Sequence, residues 1–350
     1  MVVDRSSTHS LCRPIRSAGR LRVLLWLLAL TALLRVPALV NPPFNIDESY
    51  YAAGAAELVA GGAFYRDVVD HKPPGIYLIY ALIYLVAGTY NQTAVHVALV
   101  LVSALTAFLV GLITQELFGA RIGFWAGSLY AVTSVVGPAN DFQAANTELF
   151  MNLPVVAALW LCARLWVRER LPRGEAVAMG LLVGMAMLIR PQAAAAFVPI
   201  GVALFRRKAG WRSMALVGGA AVLPALGLLG WLYRADAIAD LRTSLAYASY
   251  YTRSLPFEVK LANGTLKTLF FLAIDVGLVI PAVVLMTRGR SRDLLWRQGA
   301  GCLLVSWLLA SFVAVGMGGR FYPHYFIQVL PPLAIMAARQ LTHWHKESKQ

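Results

Sequence analysis

The sequence is poor in charge, and poorest in acids. Charged residues fill 14% of its 350 positions, and 17 Asp and Glu stand against 31 Lys and Arg. A soluble domain of this length carries roughly 25% charge. With 59% hydrophobic residues and a mean hydropathy of +0.64, a soluble globular fold is excluded. Cysteine is scarce too: Cys12, Cys162 and Cys302 lie far apart, and none belongs to a paired spacing. This excludes a disulfide framework and a thiolate metal site; Cys162 and Cys302 sit in apolar runs and read as small buried hydrophobes. Runs such as Ala94–Leu117 lack the alternation, over about ten residues, of a spanning β-barrel strand. No glycine-rich loop joins a strand to a helix, and no internal repeat or low-complexity linker interrupts the chain.

What the chain does have is a series of apolar runs. A helix needs roughly 20 apolar residues to cross a hydrocarbon core of about 30 Å. Candidate spans are 21–40, 93–117, 122–137, 149–166, 176–190, 192–205, 213–232, 266–287, 298–316 and 324–340. The first, Leu21–Val40, is longer than the apolar core of a cleavable signal, about 7–15 residues, and more spans follow, so it reads as a retained helix. One stretch, Gly75–Gly88, leaves the count at about ten or about eleven by length alone.

Charge placement decides between the two counts. The net charge of +14 is gathered in short clusters between apolar runs: Arg13 to Arg22, Arg164 to Arg173, Arg206 to Arg212 and Arg288 to Arg297. Short basic loops are what positive-inside orientation produces, so nucleic-acid binding is not indicated. With Gly75–Gly88 left out, these clusters and the basic C-terminus (His343, His345, Lys346, Lys349) share one side. Counted as a span, it would put the N-terminal cluster opposite the others. The stretch is therefore expected to lie along the membrane surface as a helix.

The expected fold is an all-α polytopic membrane protein, one membrane domain over residues 1–350 in the plasma (inner) membrane, with about ten spans and both termini cytoplasmic. Residues 1–20 form a basic cytoplasmic tail and 341–350 a second tail. Three segments face outward: a first loop at 41–91, a second at 138–148 and a third at 233–265. Asp47, Glu48, Glu57, Asp67, Asp70, Asp141, Glu148, Asp236, Asp240 and Glu258 all land there. Small-residue spacings at Gly123/Gly127 and Gly180/Gly184 favour close helix packing.

Within the outer segments several residues have the chemistry of a site. Asn45 and Glu48 fit a capping box opening a helix over Asp47–Val59, which accounts for Glu48 and leaves Asp47 over. A helix N-terminus keeps Asp47 ionised, and an ionised carboxylate can act as a base toward a hydroxyl. Lys72, before Pro73-Pro74, sits on an extended corner; it reads either as snorkelling to headgroups or as a point-charge ligand of phosphate, with His71 beside it. Glu148 reads either as a complement to its helix dipole or as a second carboxylate of a shared site. Arg35, Arg190 and Arg320 fall where spans meet the outer boundary. Outer arginines have no orientation role, so an anionic ligand is their natural partner. Tyr247, Tyr250 and Tyr251 read as an aromatic belt or a sugar-stacking surface. Asp47 and Glu148 together offer a divalent cation two carboxylates, short of a full ligand set.

Asp47-Glu48, His71-Lys72-Pro73-Pro74-Gly75, Leu117-Phe118-Gly119, Asn146-Thr147-Glu148, and Gly319-Arg320-Phe321 with His324-Tyr325 together resemble the GT-C glycosyltransferases. The nearest branch is the protein-mannosyltransferase-like, aminoarabinose-transferase-like enzymes, with the Rgt-type lipopolysaccharide sugar transferases. The resemblance covers residues 21–340 and is strongest over 41–150. It implies a GT-C bundle with juxtamembrane helices in the first outer loop, the second of them beginning at Lys-Pro-Pro. It also implies transfer of a sugar from a polyprenyl-phosphate donor at the outer face. By motif, Asp47 is the catalytic carboxylate and Glu148 the second acid. Lys72 contacts the donor phosphate, and Arg320 and His324 match a less defined motif. Arg190 and Arg35 are further phosphate candidates, and Glu48, His71, His324 and Tyr250 are candidate substrate contacts.

A polyprenyl phosphate departs as an anion, so cations matter more than a general acid. One carboxylate can serve the acceptor hydroxyl, and single displacement inverts the anomeric centre. A retaining enzyme needs a nucleophile that the sequence does not identify. The short end after the last expected span points to a lipid-linked or envelope-glycan acceptor. A flippase of lipid-linked sugars is the alternative; it calls for charges at the membrane midplane and broken helices.

Overall fold

The computed structural model describes residues 17–43, 45–166, 168, 170–296 and 299–349. Most of the basic N-terminal tail, with Arg13 and Cys12, lies outside the described residues, as does Arg297. Among the described residues the chain is all helical, apart from one isolated bridge between Phe64 and Val68. In order the helices are α1 Ser17–Leu34, α2 Val36–Val40, α3 Ile46–Val59, α4 Gly75–Ala87, α5 Gln92–Phe118, α6 Ala120–Thr133, α7 Ala139–Phe142, α8 Thr147–Ala163 and α9 Arg173–Ile189. They continue as α10 Phe197–Arg206, α11 Trp211–Arg234, α12 Ile238–Arg253, α13 Phe257–Ile274, α14 Val276–Thr287, α15 Gly289–Trp296, α16 Ala300–Gly316 and α17 Leu330–Glu347. Short 3₁₀ turns at Arg164–Trp166, Pro191–Ala196 and Pro323–Val329 lead out of α8 and into α10 and α17.

Every expected span falls mainly on helical residues, but length separates them. Three helical stretches, Gln92–Phe118, Thr147–Trp166 and Trp211–Arg234, are long and apolar enough to cross a membrane, or four if α13 and α14 form one broken span. The candidate span 266–287 falls on that last pair, where the chain bends by 92° at Asp275. Gly75–Ala87, Pro191–Arg206 and Ala300–Gly316 are shorter apolar helices. The first run is also broken, at Arg35 between α1 and α2.

Helix α4 has one buried and one exposed face. Tyr77, Tyr80, Ala81 and Tyr84, at i, i+3, i+4 and i+7, are buried, while Leu78, Leu82, Leu85 and Val86 are exposed. Its first residue sets its docking. A Cβ at Gly75 would lie 2.5 Å from the Leu188 carbonyl oxygen, so only glycine lets α4 start against the end of α9. The small-residue spacings do the same elsewhere. Gly123 and Gly127 abut the backbone of α5, and Gly180 and Gly184 abut that of α11.

The 27 residues of α5 run about 40 Å at 1.5 Å per residue, and they polarise the molecule. Near its start, His96 meets Glu48 of α3. Near its end, Phe118 lies under the guanidinium of Arg339 in α17. Two basic loops meet each other: Arg207 donates to the Arg168 carbonyl at 3.4 Å, and Arg168 and Arg164 share Glu175.

Candidate active site

The acidic pair opens α3. Asn45 caps this helix, its side-chain oxygen accepting from the Glu48 N–H at 2.9 Å. Only half of the expected capping box forms, because the Glu48 side chain turns away. It is buried, 2.8 Å from His96 Nε2, and it accepts from the Ala145 N–H at 3.0 Å. Glu48 therefore ties the first loop to α5 and to the second loop. Further bonds hold the second loop in place. Asn45 donates to the Asn140 carbonyl at 2.6 Å, Tyr80 to the Ala145 carbonyl at 3.0 Å, and Gln143 to the Leu34 carbonyl at 3.2 Å.

One helical step from Glu48, Asp47 faces open space. Its carboxylate lies 3.0 Å from Lys72 Nζ, which also donates to the Tyr51 hydroxyl at 2.8 Å. Burial disfavours the Asp47 carboxylate, but Lys72, with His324 and Arg190 further off, outweighs it and holds the group below the usual carboxylate range. For Lys72, burial works against the charge, while Tyr51, Asp47 and Asp70 hold it firmly protonated, above the usual lysine range. Asp47 is thus an anion whose partner cation is itself fixed.

The Lys-Pro-Pro corner rests on Asp70. One of its oxygens accepts the His71 backbone N–H at 2.6 Å and lies 3.0 Å from His71 Nδ1; the other accepts the Tyr77 hydroxyl at 2.5 Å. Burial opposes the ionised form of Asp70, but His71, Lys72 and Tyr77 together keep it below the usual carboxylate range.

Two clefts of similar size meet at this pair. One, about 480 Å³, lies between α3, the 69–72 corner and α12, with Tyr50, Val69, Asp70, Thr243, Ser244 and Tyr247 on its walls. The other, about 470 Å³, lies between the first loop, the second loop and the segment leading into the Pro323 turn. Its walls carry Asn45, Asn140, Asp141, Tyr251, Tyr322, His324 and Tyr325. Ile46, Asp47, His71 and Lys72 line both. In the second cleft His324 Nδ1 pairs with Asp141 at 2.5 Å, and the His324 ring stacks on Tyr322 with an angle of 6° between their planes.

The expected site residues divide accordingly. Asp47, Lys72, His71 and His324 come together on the clefts. Glu148 lines neither cleft: it is fully buried, 2.6 Å from Arg190 Nη1, with its other oxygen accepting the Thr147 hydroxyl at 2.9 Å. The Arg190 guanidinium in turn stacks on Tyr325 at 4.0 Å, so this pair underlies the site. Arg320 is held by α12, donating to Ser254 at 2.9 Å and to the Tyr251 carbonyl at 3.2 Å, its guanidinium 4.0 Å from the Tyr251 ring.

Two expectations are corrected by position. Arg35 is 1% exposed and donates to the Phe142 and Ser134 carbonyls, so it anchors the second loop and cannot reach a phosphate in either cleft. Tyr250 lines neither cleft and is 68% exposed; its neighbours Tyr247 and Tyr251 are the wall residues. No motif in the sequence marks Tyr51, Tyr77 or His96, and Asp70 stands there as one outer acid among ten. A lone histidine at the start of an apolar run was the available signal for His96. Among the described residues no group of three or more His, Cys, Asp and Glu is arranged to hold a metal ion. The Asp47–Glu148 cation pair is not assembled either, since Glu148 is taken up by Arg190.

Residues 71–231 match the family model described as dolichyl-phosphate-mannose-protein mannosyltransferase. No curated protein matches the sequence. Among solved structures, the fold is similar to ArnT from Cupriavidus metallidurans bound to undecaprenyl phosphate, with a TM-score of 0.63 and 18% identity over 95% of this chain and 62% of that one. It is also similar to the oligosaccharyltransferase AglB from Archaeoglobus fulgidus in complex with an inhibitory peptide and a dolichol-phosphate. There the TM-score is 0.58 and the identity 15%, over 94% of this chain and 50% of that one. The chain thus spans about half to three-fifths of the length of these structures. It is a multi-pass membrane protein with the GT-C glycosyltransferase fold, and over residues 71–231 it carries the sequence signature of the dolichyl-phosphate-mannose-protein mannosyltransferase family.

Proposed function

We propose that this protein is a glycosyltransferase that moves a sugar from a polyprenyl-phosphate donor to a lipid-linked or envelope-glycan acceptor at the outer face of the membrane, with inversion. The observation that carries the reading is the Asp47–Lys72 pair at the junction of two clefts. One cleft takes the donor and the other the acceptor, so the two substrates meet at one carboxylate and one ammonium. Asp47 accepts the proton of the acceptor hydroxyl as that oxygen attacks the anomeric carbon. Lys72 meets the negative charge that grows on the departing phosphate. A carboxylate already held ionised is ready to act as a base, and a fixed ammonium needs no reorganisation as charge develops.

The family model and the fold support the donor class. About ten spans, with N- and C-termini cytoplasmic, belong to the same proposal. The test is transfer by purified protein in vesicles supplied with polyprenyl-phosphate sugar and membrane-extracted acceptors. Asp47→Asn is expected to abolish transfer while the variant keeps the wild-type unfolding temperature. Normal turnover by that variant overturns the role of Asp47.

One observation favours a flippase. Asp275 sits in the 92° break between α13 and α14, 2% exposed, with neither carboxylate oxygen partnered. Broken helices with buried acids mark transport pathways. This is one acid at one break, whereas the paired charges gather around the clefts. Movement of lipid-linked sugar across acceptor-free vesicles, without transfer, would decide for the flippase.

A further inference from the structure

Most of the cations expected on a donor phosphate are engaged elsewhere. Arg35 binds two backbone carbonyls, Arg190 is paired with Glu148, and Arg320 is bonded to Ser254 and stacked on Tyr251. Lys72 remains, and its charge is shared with Asp47 at 3.0 Å. A phosphate monoester carries about 1.5 to 2 negative charges near neutrality, so one shared ammonium leaves a departing phosphate short of positive charge.

His71 is the next group on the same corner, and its ring lines both clefts. Its Nδ1 faces Asp70 Oδ1 at 3.0 Å, and that carboxylate is itself held by the His71 backbone N–H and the Tyr77 hydroxyl. A carboxylate oxygen so placed favours a proton on Nδ1, whatever the charge of the ring. The chemistry at Nε2 then depends on charge alone. In the neutral ring Nε2 carries a lone pair; in the imidazolium it carries an N–H. Only the second can bind a phosphate oxygen. Nε2 has no hydrogen-bond partner among the described residues.

Titratable and charged groups face the ring from several elements. On its own corner lie Asp70 and Lys72, and α3 supplies Asp47 and Tyr50. From α12, Tyr251 and Tyr247 lie with ring centroids 4.8 and 6.0 Å from that of His71, and Arg320 stacks on Tyr251. Across the second cleft stand the paired Asp141 and His324, with Tyr322 and Tyr325. Three carboxylates thus stand near the ring against Lys72 and the stacked Arg320.

We propose that His71, as an imidazolium, is the second cationic ligand of the donor phosphate beside Lys72, and that Asp70 and Tyr77 are positioning residues that hold its ring and tautomer. This rests on the reading of Lys72 as a phosphate ligand. No bond to the protein forms; the phosphate accepts an N–H from His71 while its charge rises.

The experiment is binding of undecaprenyl phosphate to the purified full chain in lipid nanodiscs, from about pH 6 to about pH 8, where an imidazole changes charge. Wild-type affinity is expected to fall as pH rises, about ten-fold across that range, as a charge-assisted hydrogen bond is lost. His71→Gln should bind about ten-fold more weakly near pH 6 and show no such fall. Asp70→Asn should resemble it. His71→Lys keeps a cation throughout and should retain affinity near pH 8; it guards against a glutamine variant that fails to fold. His343→Gln, remote from the clefts, should keep the wild-type profile. Wild-type affinity and profile in His71→Gln, or an alkaline loss unchanged in His71→Lys, overturns the proposal if Lys72→Gln weakens binding. If Lys72→Gln also binds normally, the phosphate site itself is wrong, and the proposal falls with it.

Discussion

The central residues are defined by what each one is tied to. Asp47 and Glu48 are adjacent in sequence and opposite in role, because a helical step of about 100° sends one to the clefts and the other into the protein. Glu148 and Arg190 form a buried pair; removing one partner of such a pair typically costs about 3–5 kcal/mol, since the other charge is left uncompensated. Loss of activity in a Glu148 variant is therefore a poor test of catalysis. Asp47 allows a cleaner one. Its folded-state pKa is depressed, so the ionised form is present above the ordinary carboxylate range and is lost only as pH falls through a lower value. The acid limb of kcat/KM is expected to lie below about pH 3.9, the reference for Asp. Because Lys72 is the leading group lowering it, Lys72→Gln should move that limb upward in the residual activity. An acid limb unchanged by the substitution would separate Asp47 from the rate.

At the scale of elements, the site is two loops pinned to three helices. Glu48 joins α3 to His96 of α5 and to Ala145 of the second loop, and Tyr80 of α4 bonds the same residue. Arg35, between α1 and α2, fastens the preceding turn. The latch has a measurable signature. Glu48→Gln and His96→Gln should each lower stability by about 1–3 kcal/mol, the cost of leaving a buried polar partner unsatisfied, and the double variant should lose clearly less than the sum. Hydrogen exchange at the Ala145 amide should quicken in the Glu48 variant alone and in the double variant. Additive losses would mean that the two residues act independently. The sequence made Glu48 look like a local cap because its spacing from Asn45 fits one. Spacing along a helix reports i, i+3 and i+4 neighbours only, and the true partner was 48 residues away.

Over the whole molecule, charge is sorted by end. Asp47, Lys72, Asp141 and His324 meet around the clefts near the start of α5; Arg339 lies at its far end, and the loops carrying Arg168 and Arg207 adjoin each other. Positive-inside orientation then predicts that the clefts face out and the basic end faces the cytoplasm. The check uses a cysteine-free background with single cysteines at Val69, 62% exposed beside the first cleft, and at Lys208, exposed in the basic loop. A membrane-impermeant thiol reagent should label Val69→Cys in intact cells and Lys208→Cys only after the membrane is opened. Labelling of both in intact cells would contradict the orientation.

Much of this organisation can be read along the chain. Apolar run length, the scarcity of acids and the clustering of arginines determine a helical membrane protein, because hydrophobicity and charge sorting depend on local composition. The Asp47 and Lys72 motifs were also legible, since each is a short signature on a local element. The partnerships were not. That Arg35 and Arg190 are taken up by carbonyls and by Glu148, that Asp70 lies between His71 and Tyr77, and that α13 and α14 bend by 92° depend on which surfaces meet. A buried charge takes its partner from whatever packing brings within about 3 Å, and only the tertiary structure determines that.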